Sequence, residues 1–307
     1  MHNFHKILVG LDLTDIDEQL IKAASFITTA FKSKEIYFYN VIRDFSVPEE
    51  LIKEFPTVVE QLIVDRKHEM ENKVNQYYSF PDGIKVNFLV KQGQPTKKIM
   101  KFADEKKIDL IMVGRKPKPK SGGIIINRLA RRAGCSLLIV PKEYDHALEK
   151  LFVPIDFSDY SLDAMQQAVA IARSNTKPVK IIAQNVYNVP QGYHYTGKSY
   201  KEFAAIMKAN AEKNYEKFIK QIDTEGIDIE PIYSLDKNDD VMGTIFAVAK
   251  KSLADIIIIG AKGRSATAAL FIGTNAEKLV QIDSKIPILV IRPTGRTEGL
   301  LEYLKEL

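Results

Sequence analysis

Short apolar runs alternate along this chain with stretches whose apolar positions recur every three or four residues. The runs read as buried strands, and the spaced positions mark one buried stripe of a helix. KILVGLDLTD, from Lys6 to Asp15, predicts a first strand and a polar turn. Ile16, Leu20, Ala23 and Ile27 then predict a helix. The same order returns at KLFVPIDFSD, from Lys150 to Asp159, followed by Leu162, Met165, Val169 and Ala172. Second strands are predicted at Glu35 to Ile42 and Val179 to Tyr187, and long helices near Glu49 to Tyr78 and Tyr200 to Thr224. Third strands follow Gly83 and Gly226. Helices around Thr96 to Lys107 and Asp240 to Leu253 lead into LIMVG and IIIIG, and the halves close on SLLIVP and PILVIRP. The tail GRTEGLLEYLKEL predicts a short helix with Leu300, Leu301 and Leu304 on one side.

Strands alternating with helices predict a parallel sheet covered on both faces. The fold class is therefore α/β, with two tandem doubly wound domains, each an open five-stranded sheet flanked by helices. Residues 1–145 form one domain and residues 146–307 the other, joined around Glu143 to Glu149. A repeat this long is a duplicated domain rather than a solenoid. The last strands are apolar, and an uncovered edge of that kind is an aggregation hazard. Covering both last strands would remove that hazard.

Composition adds limits. The 307 residues are 45% hydrophobic and 27% charged, with net charge +5. That balance is ordinary for a globular chain, and the charge alone is too small to argue for nucleic acid. A single cysteine, Cys135, excludes an intrachain disulfide, fits a reducing cytoplasm and reads as packing. No apolar stretch reaches the roughly eighteen residues of a membrane span, and the N-terminus lacks a signal-peptide pattern.

Candidate chemistry concentrates between Ile256 and Asn275, IIIIGAKGRSATAALFIGTN. A glycine bend after a buried strand lets a ligand approach bare backbone. A Gly-Thr pair at a helix start offers N–H groups, a hydroxyl and the positive end of a dipole. Thr274 and Glu277 fit a capping box, which starts the helix at Thr274. Taken alone, each feature is also explained by an ordinary turn or cap. No P-loop and no dinucleotide fingerprint occurs.

The combined spacing, Gly-x2-Gly-x9-Gly-Thr between a strand and a helix, resembles the ATP-binding signature of the universal stress protein family. Both halves resemble that family's domain. The resemblance implies strand order 3-2-1-4-5, pairing of domains through their last strands within one chain, and an adenine nucleotide, ATP with or without magnesium. It places nucleotide contacts on Pro154, Asp156, Val186, Gly260, Lys262, Gly263, Gly273, Thr274 and Asn275. Asp156 would meet a ribose hydroxyl or an adenine amine, or else cap a turn with Ser158. Val186 would lie against adenine, or else pack the core. The family carries a Ser or Thr shortly after the Gly-Thr pair, where this chain has Asn275 and Ala276.

The first half departs from that signature. Pro117 stands where the second glycine belongs, and counting back from the last strand puts Ile125 or Ile126 at the Gly-Thr position. The first domain is therefore expected to be a degenerate site, despite Asp12 and Val41. Arg115, Lys116, Lys118, Lys120, Arg128, Arg131 and Arg132 follow its fourth strand without an acid. They read as a solvated loop or an anion patch, and the lack of stacking aromatics argues against single-stranded nucleic acid. Tyr187, Tyr193, His194, Tyr195 and Tyr200 are a candidate flap or an ordinary surface loop.

Three functions compete. The favoured one is an ATP-binding stress-response module, with the first domain a scaffold for the pseudo-dimer. The second is a slow nucleotide hydrolase or transferase, against which stand the lack of an H-x-G-H motif, of an acidic metal cluster and of a partner for His146 or His194. Asp156 and Asp159 are the carboxylates that could hold magnesium. The third is a scaffold without nucleotide. A homodimer stays open on all three.

Overall fold

The computed structural model describes residues 4–43, 54, 57–116, 123–144, 148–262, 273–282 and 284–292. The predicted tail helix lies outside them, as do Pro117, Lys118, Lys120, His146 and Gly263. The chain divides into two compact units. The first holds β1 (Lys6–Leu11), α1 (Asp17–Ala30), β2 (Glu35–Ile42), α2 (Val58–Tyr77) and β3 (Lys85–Gln92). It continues with α3 (Pro95–Lys106), β4 (Leu110–Arg115), α4 (Ile124–Arg132) and β5 (Ser136–Pro141). The second holds β6 (Lys150–Pro154), α5 (Asp159–Ser174), β7 (Lys180–Tyr187), a 3-10 turn (Gln191–Thr196) and α6 (Tyr200–Ile219). It ends with β8 (Asp228–Leu235), α7 (Val241–Lys251), β9 (Ile256–Gly260), α8 (Thr274–Gln281) and β10 (Ile288–Ile291).

The strand order is β3-β2-β1-β4-β5 in the first unit and β8-β7-β6-β9-β10 in the second. Every pairing within a unit is parallel. This is the doubly wound order expected. The central strands are apolar because helices cover both faces: Ile7, Leu8, Val9, Leu151, Phe152 and Val153 are all fully buried.

Helix faces follow the stripes with one shift. Ile16, Leu20, Ala23 and Ile27 are buried around α1 as predicted. In α5 the stripe moves: Met165, Val169 and Ala172 are buried, Leu162 is only half-buried, and Ala164, Ala168 and Ile171 complete the face. Small alanines let this helix sit close to the sheet, so size rather than hydrophobicity marks its inner side. Helices of the second unit carry side-chain caps. Ser199 and Glu202 form a full capping box at α6, and Asp240 accepts from the Gly243 N–H at α7. No helix among the described residues is long and apolar enough to cross a membrane.

Candidate functional site

In a doubly wound sheet the central strand is left by crossovers running in opposite directions, which opens a crevice beyond its carboxyl end. In the second unit that crevice lies beyond β6 and β9, and one proline widens it. The β1–β4 ladder of the first unit runs for four residue pairs, ending at Gly10 and Val113. The β6–β9 ladder ends at Phe152 and Ile257. Pro154 stands where the first unit has Gly10, and without an N–H it cannot carry the ladder further. Beyond Pro154 the chain is tied to β7 instead. The Ile155 N–H donates to the Gln184 carbonyl at 2.8 Å, and the Asn185 side chain donates back to the Ile155 carbonyl at 2.8 Å.

A cavity of about 450 Å³ fills this crevice. Its volume lies in the range of small-molecule sites. Pro154, Asp156, Val186, Gly260, Lys262 and Gly273 all line it, so six of the predicted contacts meet at one place. Val241, Met242 and Ile245 of α7 form an apolar wall, with Met207, Asn210 and Asn214 of α6 on another side. Thr274 and Asn275 open α8, while their side chains and Gly263 lie outside the described residues.

At four points the geometry fixes a local role, the first being the turn alternative for Asp156. Asp156 Oδ1 accepts from the Ser158 N–H at 3.1 Å and hydroxyl at 2.5 Å, and Ser158 Oγ in turn caps α5 by accepting from the Ser161 N–H at 3.3 Å. The turn is thus part of what Asp156 does. Gly260 is needed for packing: a Cβ there would lie 2.3 Å from the Tyr160 carbonyl oxygen. The N-cap of α8 is Gly273 rather than Thr274, so the capping-box assignment is corrected although the helix does begin at Thr274. Gly273 has φ −74°, open to any residue, and its N–H already donates to the Ala261 carbonyl at 2.7 Å. What Gly273 gives the cavity wall is therefore the absence of a side chain.

The Asp-bearing turn holds a further device that the sequence concealed. Phe157 has φ 63° and Leu13, at the matching place, φ 61°. Bulky residues seldom adopt this left-handed conformation, so tertiary packing must impose it. The Phe157 ring meets Phe218 of α6 edge-on, with centroids 5.8 Å apart. Asn185 and Asn40 are likewise a matched pair, since Asn40 donates to the Leu11 carbonyl at 2.9 Å. The recurrence of Asn-Val in both second strands was the available signal.

In the first unit several side chains make contacts around the matching strand ends. Asp12 accepts from the Thr14 hydroxyl at 2.6 Å and pairs with Lys116 at 2.5 Å. Tyr39, opposite Gly10 in the ladder, is 2% exposed and packs on Phe102 with centroids 4.9 Å apart. Burial pushes its hydroxyl up to about 12, with Glu105 adding to the shift. Asp17 is buried and accepts from the Leu13 N–H at 2.7 Å. Loss of solvent, then repulsion from Asp12, pushes its carboxyl up to about 6 against the pull of Lys73. The residue capping α4 is Gly123, with φ 70°, and the helix begins at Ile124. That corrects the placement of Ile125 or Ile126 at the Gly-Thr position: a glycine is present, and what the first unit lacks is the hydroxyl after it.

Arg115 departs from its sequence reading, while the tyrosine segment, apart from Tyr187, follows its surface-loop alternative. Arg115 is a buried β4 residue, 7% exposed, and not a loop cation. Of the tyrosine segment only Tyr187 lines the cavity; Tyr193 meets Tyr200 edge-on with centroids 5.6 Å apart, and Tyr195 stands 87% exposed. Cys135 is half-buried.

Two doubly wound units, the second with a cavity beyond its central strands, define the class as a tandem α/β protein. The universal stress protein family matches residues 3–141 and again 148–292, and the chain belongs to that family. A universal stress protein of Methanocaldococcus jannaschii is 25% identical over 150 residues, 48% of this chain and 84% of the relative. The universal stress protein YxiE of Bacillus subtilis is 26% identical over 149 residues, 47% of this chain and 98% of the relative. The crystal structure of a universal stress protein from Archaeoglobus fulgidus superposes with TM-score 0.62 at 16% identity, covering 94% of this chain and 96% of that one, a likeness of fold.

Proposed function

We propose that the second domain binds an adenine nucleotide, ATP, that the chain acts as a regulatory binding module in the stress response, and that the first domain serves as scaffold. The observation that carries this reading is the cavity beyond Pro154. One carboxylate (Asp156), one ammonium (Lys262), a bare N-cap (Gly273) and an apolar wall face the same space. An apolar wall suits a base, a carboxylate suits ribose hydroxyls, and an ammonium with a helix N-terminus suits phosphates. Gly263, Thr274 and Asn275 complete the proposed contacts. Among the described residues no group of three or more His, Cys, Asp or Glu could hold a metal. This favours magnesium arriving with the phosphates over magnesium held by the protein.

Titration calorimetry with ATP tests the reading. One nucleotide per chain is expected, with no steady release of phosphate. A stoichiometry of two overturns the scaffold role of the first domain. No binding at millimolar ATP overturns the reading itself, and sustained phosphate release replaces a binding module with an enzyme.

A further inference from the structure

Gln184 is fully buried on β7, at a place where an apolar residue would cost nothing. Its Nε2 donates to the Ser234 hydroxyl at 2.8 Å. Its Oε1 is buried and has no hydrogen-bond partner among the described residues. Orphaned buried acceptors are rare in native folds because each forfeits its hydration without return. Such an atom in the wall of a cavity asks for a donor from whatever fills that cavity.

Strand geometry gives the direction. Gln184 and Val186 are two apart on β7 and share a face, and Ser234 is paired with Val186 on β8 and shares it too. Gln184 stands opposite Pro154 as Tyr39 stands opposite Gly10 in the first unit. Tyr39 reaches toward α3, where its hydroxyl approaches the Lys98 carbonyl and its ring meets Phe102. By the same geometry the Gln184 carboxamide points toward α7, whose Val241, Met242 and Ile245 wall the cavity. A flat apolar ring lying between Val186 and α7 has Gln184 at its inner end. Nε2 is held by Ser234, which does not line the cavity, so the carbonyl oxygen is the end of the carboxamide left for a ligand.

We infer that Gln184 reads the base: its carbonyl oxygen accepts a hydrogen bond from the exocyclic amine of a 6-amino purine. This rests on the adenine-nucleotide reading above and assigns its specificity to a side chain. A 6-oxo purine would set its own carbonyl against Oε1, two acceptors face to face. A site built to hydrogen-bond one group rejects the analogue that lacks it, because the site's buried partner is left bare.

Titration calorimetry with three triphosphates tests this in the intact chain: ATP, the 6-oxo analogue ITP, and the purine riboside triphosphate without a 6-substituent. The wild type should bind ATP about tenfold more tightly than the unsubstituted purine, about 1.4 kcal/mol, and bind ITP more weakly still. Gln184→Met keeps the volume and removes the carbonyl; ATP and the unsubstituted purine should then bind within about twofold of each other. Equal affinity of the wild type for ATP and the unsubstituted purine overturns the inference without recourse to any variant, as does a wild-type preference for ITP. An ATP preference that survives in Gln184→Met, with its circular dichroism unchanged, also overturns it. All three outcomes leave nucleotide binding standing. A wild type that takes up none of the three ligands overturns both this inference and the proposed function.

Discussion

The two domains share a frame and differ in what stands at the mouth of their central strand. Both keep an Asp after that strand, a left-handed residue after the Asp, and an asparagine brace to the next strand. The first domain then sets Lys116 on Asp12 and a tyrosine ring beside the crevice. The second parts β6 from β9 and leaves a cavity. The difference teaches that conserving a fold and conserving an opening are separate tasks. At the matching ladder positions Pro154 stands for Gly10 and Gln184 for Tyr39.

Several substitutions put that contrast at risk. The largest effect is expected at the close approach of strand and helix. Gly260→Ala places a carbon against the Tyr160 backbone, whereas the same change at Gly114 meets only the Ile16 side chain at 3.1 Å. Overpacking against backbone should cost about 3 kcal/mol at Gly260 and under about 1 kcal/mol at Gly114, read from denaturant midpoints. Equal costs would show that the two glycines share one role.

Next comes Gly273→Val, which keeps an allowed backbone but puts a branched side chain at the α8 N-cap, on the cavity. ATP affinity should fall about a hundredfold, about 2.8 kcal/mol, with the fold retained. Gly123→Val should leave affinity unchanged, and if it weakens ATP, the first crevice is in use.

Asp17 separates the domains by pH. Its carboxyl is raised to about 6, so the protonated form is the one the fold favours. The stability it contributes is fully present below about pH 4, the ordinary carboxyl range, and is lost as pH rises through about 6. Ser161 occupies the matching place in the second domain and cannot titrate in this range. Native-state hydrogen exchange over α1 should weaken by roughly 2 kcal/mol between pH 4 and 7, and Asp17→Asn should flatten that slope. A slope that persists in Asp17→Asn assigns it to another group.

The smallest effects compare the two turn aspartates. Asp156→Ala should weaken ATP about tenfold, since part of a ribose contact can pass to water. Asp12→Ala should leave ATP affinity unaltered. Matching losses would mean two working sites.

The strand–helix alternation was readable throughout, because buried parallel strands are runs such as Ile256 to Ile259 that few other elements produce. The tandem family and most of the crevice followed from that order. What escaped the reading has particular causes. A glycine after a strand has two physical explanations, and only coordinates assign Gly260 to the Tyr160 backbone. Gly123 escapes a count back from the last strand that stops at Ile125 or Ile126, inside α4, whereas the cap lies just before the helix start. Leu13 and Phe157 gave no signal at all, since neither residue type favours a positive φ and the packing that imposes it is distant in sequence. Tyr39 and Gln184 both sit within strand patterns, where the register reveals them and composition does not.

The Phe157 turn has a consequence for the order in which the molecule assembles. In an unfolded chain a phenylalanine rarely visits φ near 63°. Its ring is held by Phe218, near the end of α6, which the chain reaches only after β7 and the 3-10 turn. The turn that presents Asp156 thus gains this ring contact only when α6 docks, after β6 and α5 have been made. In a domain emerging from its N-terminus, the crevice is among the last parts to acquire its shape, although the strand that carries it is the first to be made.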